Sequence, residues 1–468
     1  MMRQTMNKAI RSTVLFALVL SFAAIGVAQR TSGDVLIRNA TVMTASSGTK
    51  TNTDVLISNG KIARIGKNLK AGNAKEIDAT GKYVIPGIID AHSHAMLDAV
   101  NEFTYAVTSM ARIRDVLDPT DVTIYRALAG GVTAANLMHG SANPIGGQNT
   151  VVKFRYGRSA DEMVFEKAPP GIKFAMGENV KRARNIPGVP RRYPASRMGT
   201  LEVMRDAFVR AKDYKKSWDN YRAGKTRVPP KKSEELDPIV EILEGKRLVH
   251  AHGYRSDEHL NLMRLADEFG FKISTLQHGL EAYKIAPEIK KYGAGVSIFV
   301  DFWGYKMEAY DTIPYNAYIL WKNGVVVSIN SDSGERIRRL NLDAAKTMKY
   351  GGVPEQEALK MITLNAAIQL GVDKYTGSID VGKDADIGIW SGHPFSVYSH
   401  AEMTLVDGEV FFDRSKDIAM RKELEEERKR LEAMEPNLPP AKRGKKKKPE
   451  AKSEEKAKTP KREAGGVQ

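Results

Sequence analysis

Short apolar runs recur along the chain, and several of them end in a polar or charged residue. Ahead of them lie two similar stretches, Asp34-Val-Leu-Ile-Arg-Asn and Asp54-Val-Leu-Ile-Ser-Asn, whose β-branched residues alternate as in strands. Asn59-Gly60 signals a tight hairpin turn before Lys61-Ile-Ala-Arg-Ile. Eight strand candidates follow, at residues 83–94, 131–138, 149–154, 171–176, 247–252, 272–278, 293–300 and 325–332. Unbroken runs such as Val325-Val-Val-Ser-Ile fit strands buried on both faces. Helical patterns separate several of them, for example Ser256-Asp-Glu leading into Leu262, Leu265, Ala266 and Phe269, with Gly270 as the stop. Eight alternating units predict an α/β fold, a (β/α)₈ TIM barrel, over residues 85–375. One repeat is irregular: residues 138–149 are too few and too glycine-rich for a full helix, so that unit is abbreviated or its strand lies outside the barrel.

Strand-like patterns return at Gly377-Ser-Ile-Asp-Val-Gly-Lys-Asp-Ala-Asp-Ile-Gly-Ile-Trp and at 403–412. They predict a small β-sandwich domain assembled from residues 34–84 and 376–414. Residues 415–468 read as a charged helix followed, beyond Pro436, by a Lys/Glu/Pro-rich disordered tail. Residues 181–245 interrupt the alternation as a basic insertion, proline-rich at both ends and helical around 201–222, expected to cover part of the active face. Its arginines Arg191, Arg192 and Arg197 are candidates to bind a substrate carboxylate, with a purely solvated outer helix as the competing reading.

The net charge of +16 suggests nucleic acid until its distribution is examined. Residues 181–247 hold 18 basic and 9 acidic residues, and 441–468 hold 11 and 4, so these two segments carry the whole excess. No specific nucleic-acid partner is expected. The absence of cysteine excludes disulfides, thiolate ligands and a cysteine nucleophile. At the N-terminus, Lys8 and Arg11 precede an apolar run over 14–27, and Gly26 and Ala28 frame a cleavage site. Residues 1–28 are therefore read as a signal peptide, with an uncleaved anchor as the alternative, and the mature chain as periplasmic or secreted with no transmembrane segment.

The histidines carry the chemistry. His92 and His94 end the first barrel strand, His250 and His252 the fifth, His278 the sixth, and Asp332 the eighth. Residues two apart on a strand point to one side, and catalytic groups of such barrels converge from strand ends. Neutral imidazoles bind zinc-like ions at ~2.0–2.1 Å, and the ion brings the pKa of bound water toward ~7. A neighbouring carboxylate can then shuttle a proton.

With these residues in hand, the sequence resembles the amidohydrolase superfamily, near its imidazolonepropionase-like and prolidase-like branch. The resemblance runs from about Asp34 to Arg414 and rests on Pro86-Gly-Ile-Ile-Asp-Ala-His-Ser-His, His250, His278, Asp332, Thr363-Leu-Asn-Ala-Ala and the Gly377-Ser-Ile-Asp-Val-Gly segment. It implies that His92, His94 and Asp332 hold one divalent metal, with zinc expected, and that His250 and His278 hold a second. Asp332 would be the general base and then the acid. A carboxylated Lys173 would bridge the metals, with Glu178 as the alternative bridge. His252 is expected to contact substrate or to support the ligands from behind, with a metal role as the lesser alternative. His139 lines the pocket or is simply packed, His259 is expected at the surface, and His393 and His400 carry no catalytic role. The implied function is hydrolysis of a carbon–nitrogen bond in a small amide, cyclic amide or dipeptide-like substrate, one carrying a carboxylate included, by a metal-bound hydroxide; self-association stays open. The rival reading is a barrel without catalysis that serves as an envelope binding protein.

Overall fold

The structure is a computed structural model that describes residues 33–183 and 192–434. The signal segment, Arg191 and the tail beyond Pro436 lie outside the described residues. Among the described residues no helix is long and apolar enough to cross a membrane.

Five strands open the chain: β1 (Val35–Met43), β2 (Thr49–Ser58), β3 (Lys61–Gly66), β4 (Lys75–Asp78) and β5 (Tyr83–Pro86). The predicted hairpin is present, with Ser58 opposite Lys61 and positive φ at both Asn59 and Gly60. Eight strands follow in the barrel: β6 (Ile88–Ser93), β7 (Val132–Leu137), β8 (Ile145–Lys153), β9 (Gly171–Ala175), β10 (Leu248–Gly253), β11 (Ile273–His278), β12 (Gly295–Ile298) and β13 (Val327–Ile329). The chain then returns to the first sheet with β14 (Ile387–Trp390), β15 (Ala401–Val406) and β16 (Glu409–Asp413). Strands from both chain ends thus share one ladder, in the order β16-β15-β14-β5-β1-β2-β3, with β4 beside β1. The two chain ends do come together, but in one continuous sheet where a two-sheet sandwich was expected.

The barrel strands pair in sequence order from β6 to β13. Closure between the last strand and the first is made just beyond β13, where the Asp332 N–H donates to the His92 carbonyl at 2.9 Å. Asp90, fully buried in β6, secures the same seam: its carboxylate accepts from the Ser331 N–H at 3.1 Å and the Ser331 hydroxyl at 2.5 Å.

The irregular third repeat has a definite explanation. β8 runs antiparallel to both β7 and β9. A reversed strand needs no crossover helix behind it, so the short span 138–144 suffices. It is a barrel strand, but the expected uniform parallel order fails at this one position.

The basic segment after β9 also differs from expectation. Its main helix, Arg197–Arg222, turns Met204, Ala207, Phe208 and Ala211 inward. Phe208 stacks on Phe271 at 4.4 Å between ring centroids and meets Phe174 of β9 at 6.1 Å. The helix therefore packs on the barrel wall as the crossover from β9 to β10, and its charges line the outer face. From Lys416 onward a second unit begins; within it, a charged helix reaches Met434 with Arg421 bonded to Asp417 one turn back.

Lys153, buried at the end of β8, joins the barrel to the sheet. Its ammonium donates to Asp384 at 2.8 Å and Asp407 at 2.5 Å, and lies 3.0 Å from Asp386. Burial alone would lower this lysine's pKa; Asp386, Asp407 and Asp384 outweigh that and push it up. The three carboxylates have the spacing of a cation site, and the cation they hold is Lys153. Removing it by Lys153→Met strands buried negative charge, so a loss of about 3–5 kcal/mol in folding free energy is expected. Urea denaturation of wild type and variant measures it.

Candidate metal centre

Period-two alternation places Asp90, His92 and His94 on one side of β6 and its extension. Asp90 is consumed by the seam. His92 and His94 converge on Asp332, whose Oδ1 lies 3.1 Å from His92 Nε2 and 2.9 Å from His94 Nε2. His278 Nε2 is 3.7 Å from the other oxygen of the same carboxylate. The rings form a tight group: His278 stacks on His92 at 4.8 Å and meets His252 edge-on at 4.8 Å. Phe299, just past β12, stacks on the other face of His278 at 4.4 Å.

Two of these strand ends break extended geometry. His278 has φ +71° and Asp332 has φ +47°. Such a conformation costs of order 1–3 kcal/mol at a non-glycine residue and persists where the surroundings enforce it. Here the break comes at the two positions whose side chains must turn over the mouth.

Lys173 extends inside the barrel from β9, with His250 opposite it in register. Its ammonium is 2.9 Å from His92 Nε2. Burial lowers it to about 8, against the pull of Asp332. Burial also disfavours the charged imidazole, bringing His250 down to about 3 and holding His92, His252 and His278 well below the ordinary range. For Asp332, burial would raise the carboxyl, but His278, His94 and Lys173 hold it below the usual carboxylate value. The result is a set of neutral, ligand-ready imidazoles around one carboxylate.

This set fits a metal. His92, His94 and Asp332 each offer a ligand atom within 4.8 Å of one another. Both nitrogens of His252 and His278 are buried without a hydrogen-bond partner among the described residues. Buried polar atoms are ordinarily satisfied, and a cation is a natural acceptor of these lone pairs. His250 is paired in register with Lys173, and Glu178 sits past the end of β9 in the helix Gly177–Ala183, its N–H donating to Glu308 at 2.6 Å.

Other expected residues are placed differently. His139 is not open to a substrate: its Nδ1 is 2.9 Å from the Gly140 carbonyl, and its Nε2 accepts from the Glu102 N–H at 2.8 Å. A Cβ at Gly146 or Gly147 would come within 2.9 Å of its ring, so the glycine-rich loop serves close packing around this histidine. His259 is fully buried against Gly253 rather than exposed. Arg197 donates to Glu258 at 2.5 Å and Glu308 at 2.6 Å. Arg192 donates to the carbonyls of Phe103 and Ala142, both at 2.7 Å.

Sequence reasoning missed Tyr254 and the structural role of Asp90. Asp90 was legible from its spacing to His92. Tyr254 follows His252 by two residues, so the same alternation could have found it.

A strand-end histidine and aspartate centre in an eight-stranded barrel defines a class of metal-binding barrel protein. The comparisons narrow it. The amidohydrolase family model matches residues 315–434. A solved amidohydrolase of Thermotoga maritima MSB8 is 35% identical, with a TM-score of 0.76 over 81% of this chain and 100% of that one. Amidohydrolase tasK of Hapsidospora irregularis is 31% identical over 395 residues; the match takes in 77% of this chain but only 40% of that protein's length. Imidazolonepropionase of Thermoplasma volcanium is 24% identical over 79% of this chain and 93% of its own. The chain belongs to the amidohydrolase family, enzymes that act on carbon–nitrogen bonds.

With both ring nitrogens bonded to backbone, His139 holds the loop from β7 to β8. His139→Ala should cost about 1–3 kcal/mol of stability while leaving bound metal at the wild-type level. Melting curves and elemental analysis on the same sample test this, and a loss of metal would return His139 to the centre.

Proposed function

We propose that the protein hydrolyses a carbon–nitrogen bond in a small amide, cyclic amide or dipeptide-like substrate, with one or two divalent ions, zinc by preference, held by its strand-end residues. The observation that carries this reading is the convergence of His92, His94 and His278 on the single carboxylate of Asp332. The relatives named amidohydrolase and imidazolonepropionase support the reaction class. His92 and His94 would hold the first ion with Asp332, and His250 and His278 the second. When bound, the ion supplies a Lewis acid that polarises the carbonyl and acidifies water.

The chain's own residues do the rest. Burial keeps the imidazoles of His92, His250 and His278 neutral, so their lone pairs stay available. Asp332 Oδ1 and Oδ2 face the reacting space. The carboxylate takes the proton of the attacking water and delivers it to the leaving nitrogen as the C–N bond breaks. His252 and Tyr254 form the wall beside His278, with ring centroids 4.8 and 5.6 Å from it. Export through a signal over residues 1–28 belongs to the same proposal and rests on the residue pattern there.

Lys173 is proposed to act as a carbamate. An ammonium would repel two cations. The lowered pKa supplies neutral amine near pH 8, and that amine can add CO₂, losing a proton to give an anionic group with two oxygens. Glu178 remains the alternative bridge.

Two experiments test these roles. Asp332→Asn should keep the fold and most of the metal but lose turnover by about 10²–10⁴-fold on a panel of N-acyl amino acids and dipeptides; turnover near wild type would end the proposed mechanism. Lys173→Ala should lose one ion by elemental analysis, and short carboxylic acids with added metal should restore part of it. A variant that retains both ions and full turnover would assign the bridge to Glu178.

A further inference from the structure

A second cavity lies outside the metal centre, beside the helix Leu340–Gly351, with a volume of about 780 Å³. Pockets for small organic ligands commonly measure about 300–1,000 Å³. One stripe of the helix forms its floor, with Leu342, Ala345, Lys346 and Lys349 recurring at helical spacing. The opposite wall is the turn between β14 and β15, which contributes Phe395 and Val397. That wall is fastened to the helix, since Asn341 Nδ2 donates to the Pro394 carbonyl at 2.8 Å. None of the metal-centre histidines lines the cavity, and neither does Asp332.

Four cations border this space, and they divide into two kinds. Arg336 bonds to Asp301 and to Asp343, the latter at 3.0 Å, and Lys346 donates to the same two carboxylates at 2.5 and 2.9 Å. Those four side chains neutralise one another. Arg339 makes no side-chain hydrogen bond or ion pair among the described residues, and Lys349 meets only the Tyr350 ring, at 5.4 Å from its centroid. The cavity therefore presents two positive charges that no carboxylate of the chain offsets, above an apolar floor and wall.

We propose that this cavity binds a small organic anion carried on an apolar body, at a site separate from the metal centre. The apolar body would cover Leu342, Phe395 and Val397, while Arg339 and Lys349 take the anion. A guanidinium matches a carboxylate in two parallel hydrogen bonds, and such charge-assisted bonds are among the stronger polar contacts. The two sites stand close. Arg336, on the cavity wall, lies 4.4 Å over the Phe302 ring, and Phe302 is 4.5 Å from Phe299, which stacks on His278. The proposal needs no particular reaction at the metal centre.

Calorimetric titration with phenylbutyrate and with the neutral phenylbutanol tests it, on the full chain with bound metal verified. The proteins compared are wild type, Arg339→Gln with Lys349→Gln, Ala345→Trp, whose indole fills the cavity, and Asp332→Asn, which disturbs only the metal centre. Wild type is expected to bind the acid about tenfold more tightly than the alcohol, the worth of roughly one charge-assisted hydrogen bond. The double variant should remove that preference, Ala345→Trp should abolish binding of both probes, and Asp332→Asn should bind as wild type does. Equal wild-type affinity for acid and alcohol overturns the proposal, as does the absence of wild-type binding. Acid binding lost in Asp332→Asn but kept in the cavity variants would place the probe at the metal centre and equally overturn it. Should Ala345→Trp misfold, Ser396→Trp fills the cavity from the opposite wall.

Discussion

A closed barrel interior gives its polar groups little water, and here four buried imidazoles and a buried lysine crowd beside one carboxylate, on which His92, His94 and His278 converge. Burial charges a high free-energy cost for any proton added to His92, His250, His252 or His278, and it loosens the proton on Lys173. Counted as formal charge, Asp332 and an ammonium at Lys173 cancel, so the protein brings no net negative charge to a divalent ion. Conversion of Lys173 to an anion would change that balance by two units. Under the proposed function, the centre's affinity for metal would be tied to the chemical state of one side chain lying 2.9 Å from His92.

The same carboxylate is tied to the integrity of the barrel. The Asp332 N–H closes the seam to β6 through the His92 carbonyl, and Asp90 fastens Ser331 beside it. The two ends of the barrel sheet meet at the ligand cluster itself. Positive φ at Asp332 and at His278 is what permits backbone closure and inward side chains together. Stability and ligand geometry are set by the same few bonds, so changes at this seam will seldom affect one alone.

Much of this was legible in the sequence for identifiable reasons. Strands buried on both faces read as continuous apolar runs, so all eight barrel strands could be located. Side chains at strand ends inherit the alternation of the strand, which put the candidate site residues His92, His94, His278 and Asp332 in view. What escaped depends on long-range pairing. Strand direction leaves no local mark, so the reversal of β8 could only be suspected from the short span 138–144. Arg197 was read as a partner for a substrate carboxylate, but two glutamates of the chain, at 258 and 308, occupy it. His139 was ambiguous because an imidazole satisfies a backbone group as readily as a ligand, whereas His259 was expected at the surface and is buried.

The reversal of β8 also limits how the protein can diversify. In a barrel of this kind each parallel strand delivers a loop to the mouth, and those loops are the raw material for new specificity. Because β8 begins at the mouth, the segment joining it to β7 is anchored at both ends by ladder bonds and packed by His139 between glycines. That sector of the rim is frozen. Variation in what the protein accepts should accumulate instead in segments that leave the mouth end of parallel strands, such as the one after β12, and loop grafting aimed at new substrates would best begin there.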